Sequence, residues 1–589
     1  MKNLTQMISN QIIELKTNVL GRRLASHLLR RTTFNITHER ISLFSNFTPS
    51  QAVAHLFASN EYFREYPLDS DFVPWLDPNN TEVTSVGIGP HKRDIMYWWH
   101  DESRRDESIH SKLAMFLHQN FMVHQINGSF SSLFDYLKML RYYSTKSYQD
   151  LAYAMTRSGT MLSYLNGDFS TKNEPNENYA REFLELFTIG KGPQNPNDQS
   201  DYTYYTEHDV QQAAKVFTGI QKGSWDIDPK SGYRLGKIKS HLHDTTTKTF
   251  SHRFNNATIQ GASTPATIAT EVKAFIAMVF NQDRTAINIA EKLYRYFVNK
   301  NISDTTQDNI ILPLAQTLKD NNYNIMLAVK MLLKSKHFYD EDDLDTPDHI
   351  IGGMIKSPYD LALQTMNYFD YTIIDYSNYL NAKQAVLDAG GIVDDDLLPP
   401  KKHSNRFYSL IFNRSFLYPS GMPIFSPHSV AGYDGYFLAP DYDYNWISAS
   451  TIRARYEWMQ TLISGYSNVL GKKVPEKVKL DVVDSAIQIM NNETALIKDA
   501  DVLVTRIIED LFPEGDNISE SRFNYFFYGV FLDISNYESL ESETDKVTAK
   551  MSWKFSWEDF MSTNDKSEVQ IPLKRLFIAL FQSPEYQSN

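Results

Sequence analysis

Apolar residues recur along most of the chain at the three-to-four-residue spacing of helices that bury one face. In SKLAMFLHQNFMVHQ, residues 111–125, Leu113, Leu117 and Phe121 fall on one helical side, and His124 falls with them as an expected core histidine. The same spacing predicts helices around 131–143, 147–165, 176–190, 207–218, 267–280, 284–299, 308–319 and 324–337. Thr48-Pro49-Ser50-Gln51 supplies an N-cap, a proline at the first helical position and a capping-box glutamine, and so predicts a helix start. One stretch departs from the helical period. KIKSHLHDTTTKTFSHRF, residues 237–254, alternates on either side of a polar Asp-Thr-Thr turn, which predicts a small hairpin. The expected fold is mainly α, with two helical lobes and that hairpin in the first. The acidic, proline-containing run DEDDLDTPD separates them. This places a first lobe at 1–339, a linker at 340–350 and a second lobe at 351–589. The second lobe opens with a helix from about Pro358, closes on PLKRLFIALF, and carries a long aromatic loop at 418–446.

Composition narrows the classes. The 589 residues are 42% hydrophobic and 13% aromatic, enough for substantial cores. A net charge of −13 argues against a general polyanion binder, so no nucleic-acid partner is expected. Cysteine is absent, which removes disulfides, thiolate metal sites and cysteine nucleophiles. A cysteine-free chain suits an exported protein, although it also suits a cytosolic one. The N-terminus lacks the apolar core and cleavage site of a signal peptide, so the mature chain, another export route or none is implied. No apolar run is long enough to span a membrane. Neither a glycine-rich phosphate loop, nor a serine nucleophile elbow, nor an HExxH helix is present.

Three constellations carry candidate chemistry. In NENYAREFLELF, residues 176–187, Asn176 is the expected N-cap, and Glu177 sits in the first turn, where the helix dipole favours an anion. Glu177, Arg181 and Glu185 are spaced as a ladder of opposite charges, beside an apolar stripe of Tyr179, Phe183 and Phe187. Glu182 lies off that ladder without a local partner. The segment therefore reads either as a salt-bridged structural helix or as a carboxylate site built on Glu182 and Glu185, with Asn176, Glu177, Asn178 and Arg181 as binding residues. Second, His241, His243 and Asp244 have ligand-like spacing, because alternate residues of a strand point the same way. They are candidate ligands of a divalent metal ion, with His252 as a further donor. Alternatively His243 and Lys248 act in acid–base or anion chemistry, or Asp244 shapes a turn. Third, the late loop offers Tyr433 and Trp446 as a binding surface. Its Asp441, Asp443 and Asn445 open like a calcium loop, but Trp446 stands where that loop needs glycine, and Ile452 where it needs glutamate.

Several segments, taken in order, carry a resemblance: HLLRRTTF, FLHQNF, MLSYLNGDFSTKNEPNENYAREFLELFTIG, YTEHDVQQAAKVFTG, HDTTTKTF, KLYRYFV, IKSPYDLAL and GMPIFSPHSVAGY followed by WISASTIRARY. Together they resemble the bacterial family catalogued as domain of unknown function 1800. The resemblance implies a largely helical, exported or envelope-associated protein. It also implies a partner from the neighbouring family of unknown function 1501, which resembles phosphatase and sulfatase folds. His118 matches a family histidine and is a candidate site or supporting residue. Leu117 and Asn120 stand where the family has tryptophan and a second histidine, which weakens any paired-histidine metal role. His428 replaces a proline, and Gly432-Tyr433 replaces Gly-Trp. Two functions stay open. One is a binding or accessory component at the periplasm, cell surface or outside rather than in the cytoplasm. The other is a hydrolase, metal-assisted or not, using Glu182, Glu185, His243, Asp244 and Lys248.

Overall fold

In a computed structural model, the structure describes residues 13, 15–58, 66–67, 88–124, 130–198, 200–228, 231–342, 349–371, 373, 376–394, 397–398, 407–469, 472–539 and 542–589. Helices dominate, and strands are short antiparallel pairs. The chain divides into two compact units whose order is not sequential. The first comprises Met1–Lys16, Val53–Asp343 and Ile424–Tyr442; the second comprises Thr17–Ala52, Leu344–Pro423 and Asp443–Asn589. The acidic run expected as a linker includes residues 343–348, which lie outside the described residues.

The helices start where side chains replace missing backbone partners. Thr206 with Asp209 and Thr264 with Thr267 form reciprocal capping boxes, and Pro265 sits in the first turn of the second of these helices. The expected pairing at Thr48 is present: Thr48 N donates to Gln51 Oε1 at 2.9 Å, and Gln51 N donates back to Thr48 Oγ1 at 3.4 Å. The predicted span 147–165 is instead two helices, Tyr148–Met155 and Gly159–Tyr164. The break frees the carbonyl of Arg157 to accept from Gly236 N at 2.7 Å. Helix His110–Asn120 buries Leu113 and Leu117, and Phe121 just beyond it is buried as well. His124 does not share that face. The helix ends at Asn120 because Phe121 leaves helical geometry and its carbonyl accepts from Tyr136 Oη at 2.9 Å.

The hairpin expected over 237–254 is not formed as one ribbon. Strand Arg234–Ile238 pairs backward with Ile220–Ile227, and Lys248–Thr249 pairs forward with Thr258–Ile259. Between them Ser240–Leu242 is a short 3-10 turn. The reason is electrostatic: His243 and Lys248 both turn inward onto a buried carboxylate, and that pairing overrides the alternating pattern.

An aromatic cluster forms part of the first unit's core. Phe183, on the NENYARE segment, lies 5.3 Å from Phe217 and 5.7 Å from Phe275 between ring centroids, and Phe250 stacks on Phe275 at 5.5 Å. The NENYARE segment and the HD turn thus share one core. In the second unit, helix Gln570–Phe581 buries Leu573, Leu576, Phe577, Leu580 and Phe581. Trp458 stacks on Phe416 at 4.8 Å. Among the described residues no helix is long and apolar enough to cross a membrane.

Candidate functional site

The HD turn is built around a carboxylate that sequence reading missed. Glu271 sits on helix Pro265–Phe280 within the apolar stripe of Ile268, Val272, Phe275 and Val279. A lone acid in such a stripe was the available signal. Lys248 Nζ lies 2.6 Å from Glu271 Oε1, and His243 Nε2 lies 3.1 Å from Oε2, which also accepts from Ala262 N at 2.8 Å. On its other side His243 Nδ1 is 2.9 Å from the carbonyl of Thr218. A carbonyl only accepts, so Nδ1 carries a proton, and a further proton lies between Nε2 and the carboxylate. Asp244 accepts from Thr246 N at 2.8 Å, and its own backbone N donates to Thr218 Oγ1 at 2.9 Å. Lys248 also donates to the carbonyl of Asp244. The side chains of His243 and Lys248 are 0% exposed, and that of Glu271 is 1%. Gly219 lets the chain come this close: with φ +78°, a Cβ there would lie 2.8 Å from the carbonyl oxygen of Lys239 and 3.0 Å from His243 N.

The metal trio expected at this turn does not assemble. His241 is exposed on the 3-10 turn, whereas His243 is buried with both ring nitrogens engaged, so strand alternation does not bring their imidazoles together. Asp244 is engaged with Thr246. Among the described residues no group of three His, Cys, Asp or Glu side chains is arranged to hold a metal ion.

The NENYARE segment behaves differently. Asn176 caps it as expected, accepting from Asn178 N at 2.9 Å and Tyr179 N at 3.4 Å, while its own amide donates to the carbonyl of Leu165 at 2.8 Å. Glu177 and Asn178 are exposed. After Glu182 the α-helix Glu177–Glu182 loosens into a π-helical turn, Phe183–Phe187. The wider turn rotates Glu185 away from Arg181, so the predicted ladder is not completed. Arg181 instead makes a two-pronged pair with Glu207 at 2.6 and 2.8 Å, which Tyr202 Oη joins at 3.0 Å, and Glu177 stands off at 3.8 Å. Glu185 accepts from Tyr205 Oη at 3.1 Å and lies 3.5 Å from Lys191 Nζ. Glu207 and Tyr205, both from the YTEHD stretch, were also missed by the sequence reading.

Glu182 is half-buried and has no hydrogen bond or ion pair among the described residues. Burial, then the charge of Glu185, pushes its carboxyl up to about 6 from 4.5, against the pull of Arg181 and Lys191. Tyr164 is close enough that burial and the Glu182 charge together hold its hydroxyl above the ordinary phenol value. The folded chain therefore binds this proton more tightly than the unfolded chain does. The carboxyl opposes folding above about pH 6, and the opposition is relieved as pH falls from 6 towards 4.5. NMR titration of the side-chain carboxyls should show a Glu182 transition near 6, absent in Glu182→Gln. That variant should be slightly more stable than the parent at pH 7 and lose this part of the pH dependence. A Glu182 transition below 4.5 would refute the assignment.

His118 closes a third network within the first unit. Tyr136 Oη donates to the carbonyl of Phe121, so His118 Nδ1, at 2.8 Å, must donate to Tyr136 Oη. Phe425 N donates to Tyr433 Oη at 3.0 Å, and Tyr433 Oη donates to His118 Nε2 at 3.3 Å. The imidazole is neutral with its proton on Nδ1, and burial pushes its pKa down to about 3. Neighbouring Gln119 holds the same loop, giving a bond to the carbonyl of Ala431 at 3.0 Å and taking one from Tyr433 N at 3.2 Å. Gly432, at φ +104°, is pressed against that amide, and a Cβ there would fall 2.2 Å from Gln119 Nε2.

The late loop is not one aromatic surface. Tyr433 is 2% exposed in the first unit, and Trp446 is 2% exposed in the second. Asp443 is buried and accepts from Ile355 N at 2.7 Å.

Glu182 and Glu185 therefore keep open chemistry, whereas His118, His243, Asp244 and Lys248 are enclosed in bonds that hold segments together. No hydrogen bond or ion pair joins the Glu182–Glu185 pair to the His243–Lys248–Glu271 network among the described residues. No curated protein and no solved structure is detectably similar to this chain. The family model described as Protein of unknown function (DUF1800) matches residues 27–588, nearly the whole length, and the chain belongs to that family.

Proposed function

We propose that this chain is a binding or accessory component of the bacterial envelope that acts through a protein partner rather than by turning over a substrate. One observation carries the reading. The motif side chains with the strongest catalytic character, His243 and Lys248, are fully buried and bonded to Glu271, as suits a network that holds the fold. The exported or surface location is what the resemblance implies, and the cysteine-free composition is compatible with it. The partner implied by that resemblance is the phosphatase- and sulfatase-like protein of family 1501.

A second reading, a hydrolase, is favoured by Glu182. A carboxyl held protonated up to about pH 6, beside Tyr164 and a second carboxylate, is suited to deliver a proton to a leaving group. In that reading Glu185, held by Tyr205 and Lys191, is the companion carboxylate.

Purification under non-denaturing conditions from cells that natively make the protein separates the two. Protein mass spectrometry should find a stoichiometric protein partner that stays through gel filtration, and elemental analysis of the same fraction should find no stoichiometric metal. A partner-free monomer that turns over a substrate, and loses that turnover in Glu182→Gln, would establish the hydrolase instead.

A further inference from the structure

Arg455 lies inside the second unit with part of its guanidinium unanswered. It sits on helix Ala449–Ser464 and is 0% exposed. Its Nε donates to Gln587 Oε1 at 2.6 Å and its Nη2 to the carbonyl of Lys356 at 2.9 Å, whereas Nη1 has no hydrogen-bond partner among the described residues. Both acceptors are neutral oxygens, so neither cancels the charge. Two more buried donors alongside are also unpartnered among the described residues. They are Nε1 of Trp458, on the next turn of the helix, and Oγ of Ser420, at 3% and 0% exposure. Phe416 ties these two together. It stacks on Trp458 at 4.8 Å between ring centroids, and its carbonyl accepts from Ser420 N at 2.9 Å. The next residue, Gly421, comes up to Thr451, one turn before Arg455: a Cβ there would lie 3.9 Å from Thr451 Cγ2. Residues 420–421 therefore pack along the helix face that carries Thr451, Arg455 and Trp458.

The charges around this face do not balance. Arg30 Nη2 donates to the carbonyls of Asp510 and Leu511, both at 3.0 Å, and Lys356 Nζ donates to that of Tyr586 at 2.6 Å. Burial, then the charges of Arg30 and Arg455, pushes the Lys356 amine well below its ordinary value, which favours its neutral form. Burial pushes Arg455 down to about 9, which leaves it charged at neutral pH. Even with Lys356 neutral, the two guanidiniums beside it stand against one carboxylate, Asp360. Asp510, which also acts on Arg30, is committed to Arg22. A buried cation left without a counter-charge is costly, and an unpartnered buried donor calls for an ordered water or ion. A water that accepted from these groups would have two protons of its own to place; an anion has none.

We propose that the second unit encloses a monovalent anion of halide size, such as chloride, held by Arg455 Nη1, Trp458 Nε1 and Ser420 Oγ. The anion supplies the missing counter-charge and acceptor together. It is a structural ligand of this unit, independent of the Glu182 carboxyl and of any protein partner.

Equilibrium dialysis of the full-length chain against radioactive chloride tests it, with gluconate, too large to be enclosed, holding ionic strength constant. The parent should bind a single chloride saturably, and bromide should displace it. Trp458→Phe keeps a ring and removes the N–H, and Ser420→Ala removes only the hydroxyl. Each should weaken chloride about tenfold, the worth of one hydrogen bond to a charged group. Arg455→Met should abolish binding; if that variant fails to fold, the two milder ones decide. The urea midpoint of the parent should rise as chloride replaces gluconate, because a ligand bound only by the folded chain stabilises it. A parent without saturable chloride, or chloride binding that both Trp458→Phe and Ser420→Ala leave unchanged, overturns the proposal and assigns these donors to ordered water.

Discussion

Replacing Glu271 by alanine is expected to destabilise the first unit by about 3–5 kcal/mol, the cost of stranding a buried charge without its partner. Lys248 and His243 have no route to water: both side chains are 0% exposed, and each is turned onto the same carboxylate. Without Glu271, the Lys248 ammonium keeps only the carbonyl of Asp244 and the Asp244 carboxylate 3.6 Å away. The backbone N–H of Ala262 also loses its acceptor. Urea denaturation followed by far-UV circular dichroism would measure the loss. Lys248→Met combined with Glu271→Leu should recover much of it, because removing both members of a buried pair leaves no orphan charge. A loss below about 1 kcal/mol for Glu271→Ala, the range of an exposed pair, would show that the network is open to solvent. Such a result would return His243 and Lys248 to the list of groups that can meet a ligand.

That experiment also marks how far the sequence could be read. Helices were legible because their signals are local: apolar spacing, Thr48 with Gln51, and Asn176 opening the NENYARE helix. The mainly α fold followed from those alone. What periodicity cannot carry is the partner of a side chain distant in sequence. His243 and Lys248 looked like chemistry because they share a short motif, and only Glu271, on another helix, shows them to be a closed ion-pair network. The π-helical turn is a similar case. Counting in α-helical steps aligned Arg181 with Glu185, while one wider turn sent Arg181 to Glu207 and Glu185 to Tyr205. The unpaired state of Glu182 was visible as the acid left off the predicted ladder. Its raised proton affinity was not, since that depends on burial and on the distance to Glu185. The late loop was legible as special but not as divided. Tyr433 is fixed by His118 and Phe425 inside the first unit, while Asp443 caps backbone in the second.

Asp510 of the second unit should be as costly to remove as Glu271, and it adds a pH signature. Its side chain is 1% exposed. It accepts from Arg22 Nε at 2.5 Å, Arg22 Nη2 at 2.6 Å and Tyr368 Oη at 2.8 Å, with His38 Nδ1 at 3.5 Å and Arg506 at 3.8 Å. Burial alone would push this carboxyl up. The proximity of His38, the hydrogen bonds and charge of Arg22 and the charge of Arg506 outweigh burial and hold it well below its ordinary 3.8. A carboxyl depressed in the folded state adds stability that is complete above about pH 3.8 and is lost as pH falls from there through the folded value. Asp510→Ala is therefore expected to cost about 3–5 kcal/mol at pH 7, because it leaves the Arg22 guanidinium and the Tyr368 hydroxyl without their acceptor. The variant's penalty should shrink as the parent is acidified below 3.8, since protonation removes the same charge from the parent. Urea midpoints measured from pH 7 down to 2.5 would follow both trends. If the difference between parent and variant stayed constant across that range, Asp510 would be holding its neighbours by shape and hydrogen bonding alone, and the charge assigned to it at the centre of the Arg22–Tyr368–His38 cluster would be wrong.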